Sequence, residues 1–391
     1  MTKDRNTGLW AIAWQTLRGI AVQPVCWVGF FLLPLVMFFF LDNLMEQGLP
    51  TRIPSAIVDL DLSPTSRRMS QNVAGMQMVD IQYAANDYTQ ARHLMQEGKI
   101  YGYFMIPRNF EQDFKAGRNP VVTFYTNMTY LVPASLLFKT FKTSATYEKA
   151  GLILSIAQDA GLPTGGATGL LNPVSVVMHP IHNPWLNYSY YLCVGFLPGV
   201  LQLMILLMTS YTLGENVKYG RAAALFRMGH GSILRTVTGI MLPQTVIWVV
   251  VALFLESWMF GWNGYPMHGS LLWLTVSSVM FVLASQGFGL VIFGAFPNLR
   301  MGLSVSALLG ILTFSIAAFS FPVESMYPAV GIFSWIVPVR YYYLIYVDQA
   351  LNGISLYYSR MWYLAYLIFM VAPLLLMWRI RKAYARPVYV P

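Results

Sequence analysis

The chain has 391 residues, of which 56% are hydrophobic, 15% aromatic and only 10% charged. Soluble proteins carry about a quarter charged residues, so this composition excludes a soluble globular protein and indicates one that crosses a membrane several times. The net charge of +9 does not mark a nucleic-acid binder, because many of the Lys and Arg residues flank apolar stretches, where such residues set membrane orientation.

In chain order, residues 1–23 come first as an interfacial helix. Trp10, Ala13, Trp14 and Leu17 recur at helical spacing on a short amphipathic segment, the pattern of a helix lying on a membrane surface. Residues 24–41 (PVCWVGFFLLPLVMFFFL) carry no charge and are long enough to cross the hydrocarbon layer. No small-residue cleavage site follows, so the reading is a retained anchor rather than a signal peptide.

Residues 42–189 form a polar domain, roughly 145 residues long, a size typical of one folded unit. Strand-like runs at 53–59, 78–83, 100–106 and 121–125 alternate with helical ones at 63–72, 88–97, 109–115 and 133–160. Ser63 before Pro64 is an N-cap with proline at the first helical position, and Asp87 caps the next helix. Alternation of this kind predicts an α/β or α+β domain. His179 and His182 are spaced as metal ligands can be, but a linker holding two chance histidines fits them better.

Residues 190–378 hold five further spans, at 190–213, 237–258, 270–296, 301–321 and 362–378. An apolar run at 332–347 contains Pro338 and Arg340 and reads as part of a re-entrant hairpin, 322–347. Residues 379–391 are a tail. Lys and Arg concentrate before the first span, in the 214–236 loop (Lys218, Arg221, Arg227, Arg235), at Arg300 and in the tail, whereas residues 256–269 have none. By the positive-inside rule both termini are cytoplasmic and the polar domain is extracytoplasmic. Cys26 and Cys193 fall near opposite faces, too far apart for a disulfide.

The order of elements resembles the type-2 ABC exporter permeases with a large external domain between the first two spans. Four local segments carry the resemblance. They are Val58-Asp59-Leu60-Asp61-Leu62-Ser63 with Ser66-Arg67, Asn183-Pro184-Trp185, Gly214-Glu215-Asn216-Val217 with Gly220, and Phe321-Pro322-Val323-Glu324 followed by Val337-Pro338-Val339-Arg340. Lys218 and Gly220-Arg221 depart from the family pattern in the third segment, which usually has a second Glu and a Gly-Thr pair.

The resemblance implies a homodimer, or a pairing with a paralogue, with ATP and magnesium bound by a separate ABC ATPase subunit. A periplasmic adaptor protein and membrane lipid join the expected partners; nucleic acid does not. The implied location is the bacterial inner membrane. The chain has no G-x-x-x-x-G-K-[ST] sequence, and no cofactor of its own is expected.

On charge alone the 214–236 loop is a topology signal; with the resemblance it becomes the coupling loop to the ATPase, carried by Glu215, Arg221 and Phe226. Tyr188, Tyr191, Phe314 and Phe319 are candidates for an aromatic substrate path, although interface anchoring explains such residues equally well. Glu324 and Arg340 of the hairpin are candidates for a structural ion pair. The expected function is export of an amphipathic drug, lipid or glycolipid. The alternative is a membrane-anchored scaffold or sensor whose external domain binds a partner.

Overall fold

The computed structural model describes residues 7–45, 48–116, 118, 120–159, 187–319 and 321–387. It separates into two compact units, Leu49–His179 and the remainder. His179 and His182 lie outside the described residues.

The chain opens with α1, Leu9–Val22. Its periodicity is split between two faces: Ile12, Ala13 and Ile20 are buried, while Trp10, Trp14 and Leu17 are exposed. Gln23 adopts an extended conformation and stops the helix, and Pro24 starts the next at its first position. That next helix, α2, covers Pro24–Met45, with a π turn at Val28–Leu32. It outlasts the expected end at residue 41, because Asp42 and Asn43 sit at the end of an apolar helix that loses nothing by adding one more turn.

The second unit contains a four-stranded sheet in the order β2-β1-β3-β4. Its strands are β1 (Ile53–Asp59), β2 (Val79–Ala84), β3 (Gly102–Ile106) and β4 (Thr123–Thr126). β1 runs parallel to β2 and β3, and β4 runs antiparallel to β3. The helices are α3 (Pro64–Ala74), α4 (Tyr88–Gln96), α5 (Phe110–Lys115) and α6 (Leu131–Asp159). Both faces of the sheet are covered, as a central parallel strand requires. On one face Ile53, Ile57 and Phe104 pack with Met69, Val73, Leu137 and Phe141. On the other, Ala56, Val58 and Tyr103 pack with Ala91 of α4.

The Val58–Ser66 segment proves to be a turn held by its own side chains. The Asp59 carboxylate accepts from the Asp61 and Leu62 amides at 3.0 Å and from the Ser66 hydroxyl at 2.7 Å. Ser63 caps α3 by accepting from the Ser66 amide at 3.1 Å, and Leu62 takes a left-handed φ of 55°. These residue types recur there because they answer the free N–H groups of a helix start.

The remaining helices belong to the first unit. They are α7 (Tyr188–Lys218), α8 (Ala222–Met228), α9 (Ile233–Trp262), α10 (Leu271–Ala295), α11 (Leu299–Ile316), α12 (Pro328–Ile336), α13 (Pro338–Leu351) and α14 (Leu356–Ala385). Six helices among the described residues are long and apolar enough to cross a membrane: α2, α7, α9, α10, α11 and α14. α12 and α13 meet at 86°, where Pro338 denies the helix an amide donor and pushes Val337 into extended geometry.

Several ends differ from the sequence expectation. α7 continues to Lys218 rather than stopping at residue 213, so Glu215 lies inside a helix and not in a loop. Gly214 does not break it, because its missing side chain admits Leu299: a Cβ there would fall 2.7 Å from the Leu299 Cα. α11 stops at Ile316, short of the expected residue 321. α14 is longer at both ends than residues 362–378 and contains a 3-10 stretch, Ala372–Leu376, at Pro373.

α7 is the hub of this unit. It packs along α11, α10 and α2. Small residues allow the approach: a Cβ on Gly310 would lie 2.3 Å from Leu203, and one on Gly29 would lie 2.3 Å from the Met208 sulfur. Ser210 and Ser306 hydroxyls bond at 2.7 Å across α7 and α11. Between helices immersed in hydrocarbon, close packing and such hydrogen bonds replace the hydrophobic effect as the source of association. Cys26 and Cys193 are both free and buried.

Candidate coupling site and substrate path

Two chain segments converge on Glu215 of α7. The junction of α1 and α2 brings Gln23, whose side-chain amide donates to Oε1 of Glu215 at 2.8 Å. Cys26 donates in turn to Gln23 Oε1 at 3.4 Å. The turn after α7 brings Arg221, whose Nη2 lies 2.7 Å from the same Glu215 oxygen. The Glu215 side chain is nearly buried, at 10% exposure, whereas Arg221 is 44% exposed. Arg221 also stands 5.7 Å above the Tyr219 ring, and Lys218 stands 5.3 Å above it. A small cavity of about 60 Å³ lies within this cluster, between Thr16, Gly19, Gln23, Thr212, Glu215 and Arg221. One carboxylate oxygen thus serves an amide and a guanidinium on different segments, and charge-assisted bonds of this kind are the stronger class.

α8 rests on the same region. Ala222 and Leu225 are buried with Ile12 of α1, Leu213 and Val217 of α7, and Ile380 and Tyr384 of α14. Phe226 is half-buried against this cluster and so is partly committed to packing. The exposed positions of α8 are Ala224 and Arg227, and His230 follows them. Sequence reasoning named Glu215 and Arg221, which the structure pairs, but did not name Gln23, Cys26 or Tyr384 for this cluster. Tyr384 donates to the Leu213 carbonyl at 3.2 Å. No local signal could have revealed them, since Gln23 and Glu215 stand 192 positions apart.

Two of the aromatic candidates, Phe314 and Phe319, share a neighbour. The Tyr188 side chain lies outside the described residues. Tyr191 is 43% exposed. Phe314 and Phe319 both contact Phe196, with ring centroids at 5.3 and 5.4 Å. Each fills a glycine notch on α7: a Cβ on Gly199 would fall 2.8 Å from Phe314, and one on Gly195 would fall 2.6 Å from Phe319. These two rings therefore serve to pack α7.

Arg340 and Glu324 do not form the expected pair. Arg340 is buried at 7% exposure while Glu324 is exposed, and among the described residues no carboxylate lies within ion-pair distance of Arg340. Its guanidinium stands 4.8 Å over the Trp335 ring instead. Proximity in sequence to a hairpin did not ensure contact, because the 86° bend at Pro338 turns Arg340 into the helix bundle.

Other polar groups are also buried in the first unit. Glu256 is 4% exposed and accepts from the Thr275 hydroxyl at 2.7 Å and from the Ser278 hydroxyl. Gln202 of α7 accepts from the Val339 amide at 2.8 Å and donates to Thr313 at 3.1 Å. It thereby answers a free N–H at the start of α13.

An apolar cleft of about 460 Å³ opens between α9, α10 and α14, lined by Val237, Met241, Leu283, Leu290, Met370 and Leu374. Its polar floor is the 2.7 Å bond from Thr245 to Gln286. Apolar walls with a few fixed polar groups suit an amphipathic molecule.

A sequence profile described as "ABC-2 family transporter protein" matches residues 25–380. No curated protein matches the chain.

Proposed function

The chain belongs to the ABC-2 transporter family and is a multi-pass membrane protein, the membrane component rather than the ATPase, and from that premise we propose that it is the permease subunit of an ATP-driven exporter. Its cargo is an amphipathic drug, lipid or glycolipid, moved out of the cytoplasm or the inner membrane. The family implies an ABC ATPase partner. In this reading that partner binds ATP and magnesium, and a second copy or a paralogue completes the membrane domain. Both termini and α8 face the cytoplasm and the Leu49–His179 unit faces outward, in keeping with the Lys and Arg distribution.

The observation that carries the proposal is the convergence on Glu215. An ATPase pressing on α8 displaces Arg221, and the Glu215 carboxylate links that residue to the cytoplasmic end of α7 and, through Gln23, to the α1–α2 junction. A push on one short helix is thereby passed to two membrane spans.

The test is Glu215→Ala and Arg221→Glu in the full chain, expressed with the ATPase. Membrane insertion persists, and substrate-stimulated ATP turnover falls about tenfold to a hundredfold, the cost of one charge-assisted contact of roughly 1.5–3 kcal/mol. Wild-type turnover and transport in both variants would reduce the loop to a topology signal. Labelling of cysteines placed at Ser135 and Ser232 checks the orientation; reaction of both from one side removes it. A chain that never co-purifies with an ATPase would instead favour an anchored scaffold or sensor.

A further inference from the structure

At the end of the bundle where α2 finishes, a cleft of about 490 Å³ opens. Phe39, Tyr190, Trp258, Trp262 and Tyr265 line it, together with Asp42. The volume is within the range of small-molecule sites. The rings form two groups: Trp258 and Trp262 stack at 5.4 Å and 20° with Phe39 edge-on to Trp258 at 5.4 Å, and Tyr190 meets Tyr265 at 4.8 Å.

Asp42 is held in place by neutral donors. The Trp258 indole N–H donates to Oδ2 at 3.1 Å, and the Asn263 amide donates to Oδ1. Among the described residues no Lys, Arg or His lies within ion-pair distance of it, and residues 256–269 contain neither Lys nor Arg. A carboxylate can accept about four hydrogen bonds, so two acceptor positions remain. Its negative charge is positioned but not neutralised, next to aromatic rings whose electron-rich faces attract cations.

A purely structural acceptor for Trp258 and Asn263 would not need a charge; an amide oxygen would serve. Nor does the cleft suit a hard metal ion. Such ions need six or more oxygen ligands, and here two N–H groups are turned toward the one carboxylate that lines the cleft among the described residues. A positively charged group with an apolar coat satisfies both the carboxylate and the rings.

We propose that this cleft binds the alkylammonium or quaternary ammonium head of an amphipathic molecule. As a statement of substrate class it rests on the exporter reading. As a binding site it stands on its own geometry. The head group can come from a free amphipathic cation or from a choline lipid, and the experiment separates these sources.

Equilibrium binding of radiolabelled hexyltrimethylammonium to the purified full chain in maltoside micelles is the measurement, with hexanol and hexyl sulfate as competitors. The wild type binds the cation, and neither competitor displaces it at equal concentration. Asp42→Asn, which retains an acceptor oxygen, weakens binding about tenfold or more. Trp262→Ala weakens it about fivefold. Trp262 makes no bond to Asp42 and is 77% exposed, so this variant decides the matter if Asp42→Asn fails to fold. Displacement by added phosphatidylcholine identifies the lipid head as a ligand, and undiminished binding identifies the free cation; either supports the shared chemistry. Equal displacement by hexanol, displacement by calcium alone, or unchanged affinity in a folded Asp42→Asn variant would overturn the site. Because no ATPase is present, a negative result here leaves the exporter proposal intact. Conversely, failed transport leaves the binding result intact.

Discussion

The two units answer their polar groups over different distances. In Leu49–His179 most partners are close in sequence, as Ser63 with Ser66, Asp87 with Gln90, Asp59 with Asp61 and Leu62, and Lys115 with Glu111, although Asp61 also accepts from the Glu111 amide fifty positions on. In the membrane unit many partners are remote: Gln23 with Glu215, Asp42 with Trp258, Ser189 with Tyr265, and Gln202 with Thr313 and Val339. Water can replace a lost local partner at a polar surface. In hydrocarbon nothing can, so a buried polar group there is costly unless it finds a partner within the protein. The long-range bonds consequently hold the helices in register, whereas the short-range ones tune individual turns.

The sharpest test of that difference uses two glycines. A Cβ on Gly287 of α10 would fall 2.2 Å from the Phe369 carbonyl oxygen of α14, while one on Gly151 of α6 would meet nothing within 4 Å. Gly287→Ala must push α10 and α14 apart and should destabilise by about 3 kcal/mol or abolish folding. Gly151→Ala should stabilise α6 by up to about 1 kcal/mol. Thermal unfolding of the detergent-solubilised chain measures the first, and local hydrogen exchange measures the second. Equal effects would erase the contrast.

Next in size is Gln202→Leu, which leaves the Val339 amide without its partner, while the Thr313 hydroxyl keeps its bond to the Leu309 carbonyl. The expected loss is about 1–3 kcal/mol, seen in the same melts. A neutral result would mean that α13 is anchored elsewhere. Ser63→Ala removes one cap in the second unit and should cost about 1 kcal/mol, confined in hydrogen exchange to α3. Spread of that effect across the sheet would contradict the local character assigned to the cap.

The smallest effect is one of pH. The Lys99 ammonium bonded to Glu97 at 2.8 Å holds that carboxyl below its ordinary value, and Lys115 does the same for Glu111. A depressed carboxyl stabilises the fold above its unfolded-state value, and this contribution is lost as pH falls from about 4.5 through the folded value. Both carboxylates belong to exposed pairs, so Glu97→Gln should flatten the acid limb of the unfolding curve only slightly. A large change in midpoint at neutral pH would show that the pair does more than its exposure allows.

The same contrast governs what could be read before the structure. The strands at 53–59 and 100–106, the caps Ser63 and Asp87 and the helix at 88–97 were legible because alternation and capping are local properties of the chain. The membrane-crossing character of α2, α7, α9, α10, α11 and α14 was legible because the hydrocarbon layer imposes length and apolarity on each span separately. The family resemblance added Glu215 and Arg221, but it could not supply Gln23.

Tertiary structure alone decided the rest. It carried α7 past Gly214 to Lys218, because Leu299 fills the space that the missing side chain leaves. It placed Phe314 and Phe319 in glycine notches, turned Arg340 onto Trp335 rather than Glu324, and buried Glu256 beneath two hydroxyls. It also gathered Asp42 and five rings around one cleft. Hydrophobic pattern tells a residue which solvent to avoid, but not which neighbour it will meet. In a bundle whose helices all avoid the same water, the neighbour is chosen by close packing and by the few polar groups that cannot be left alone.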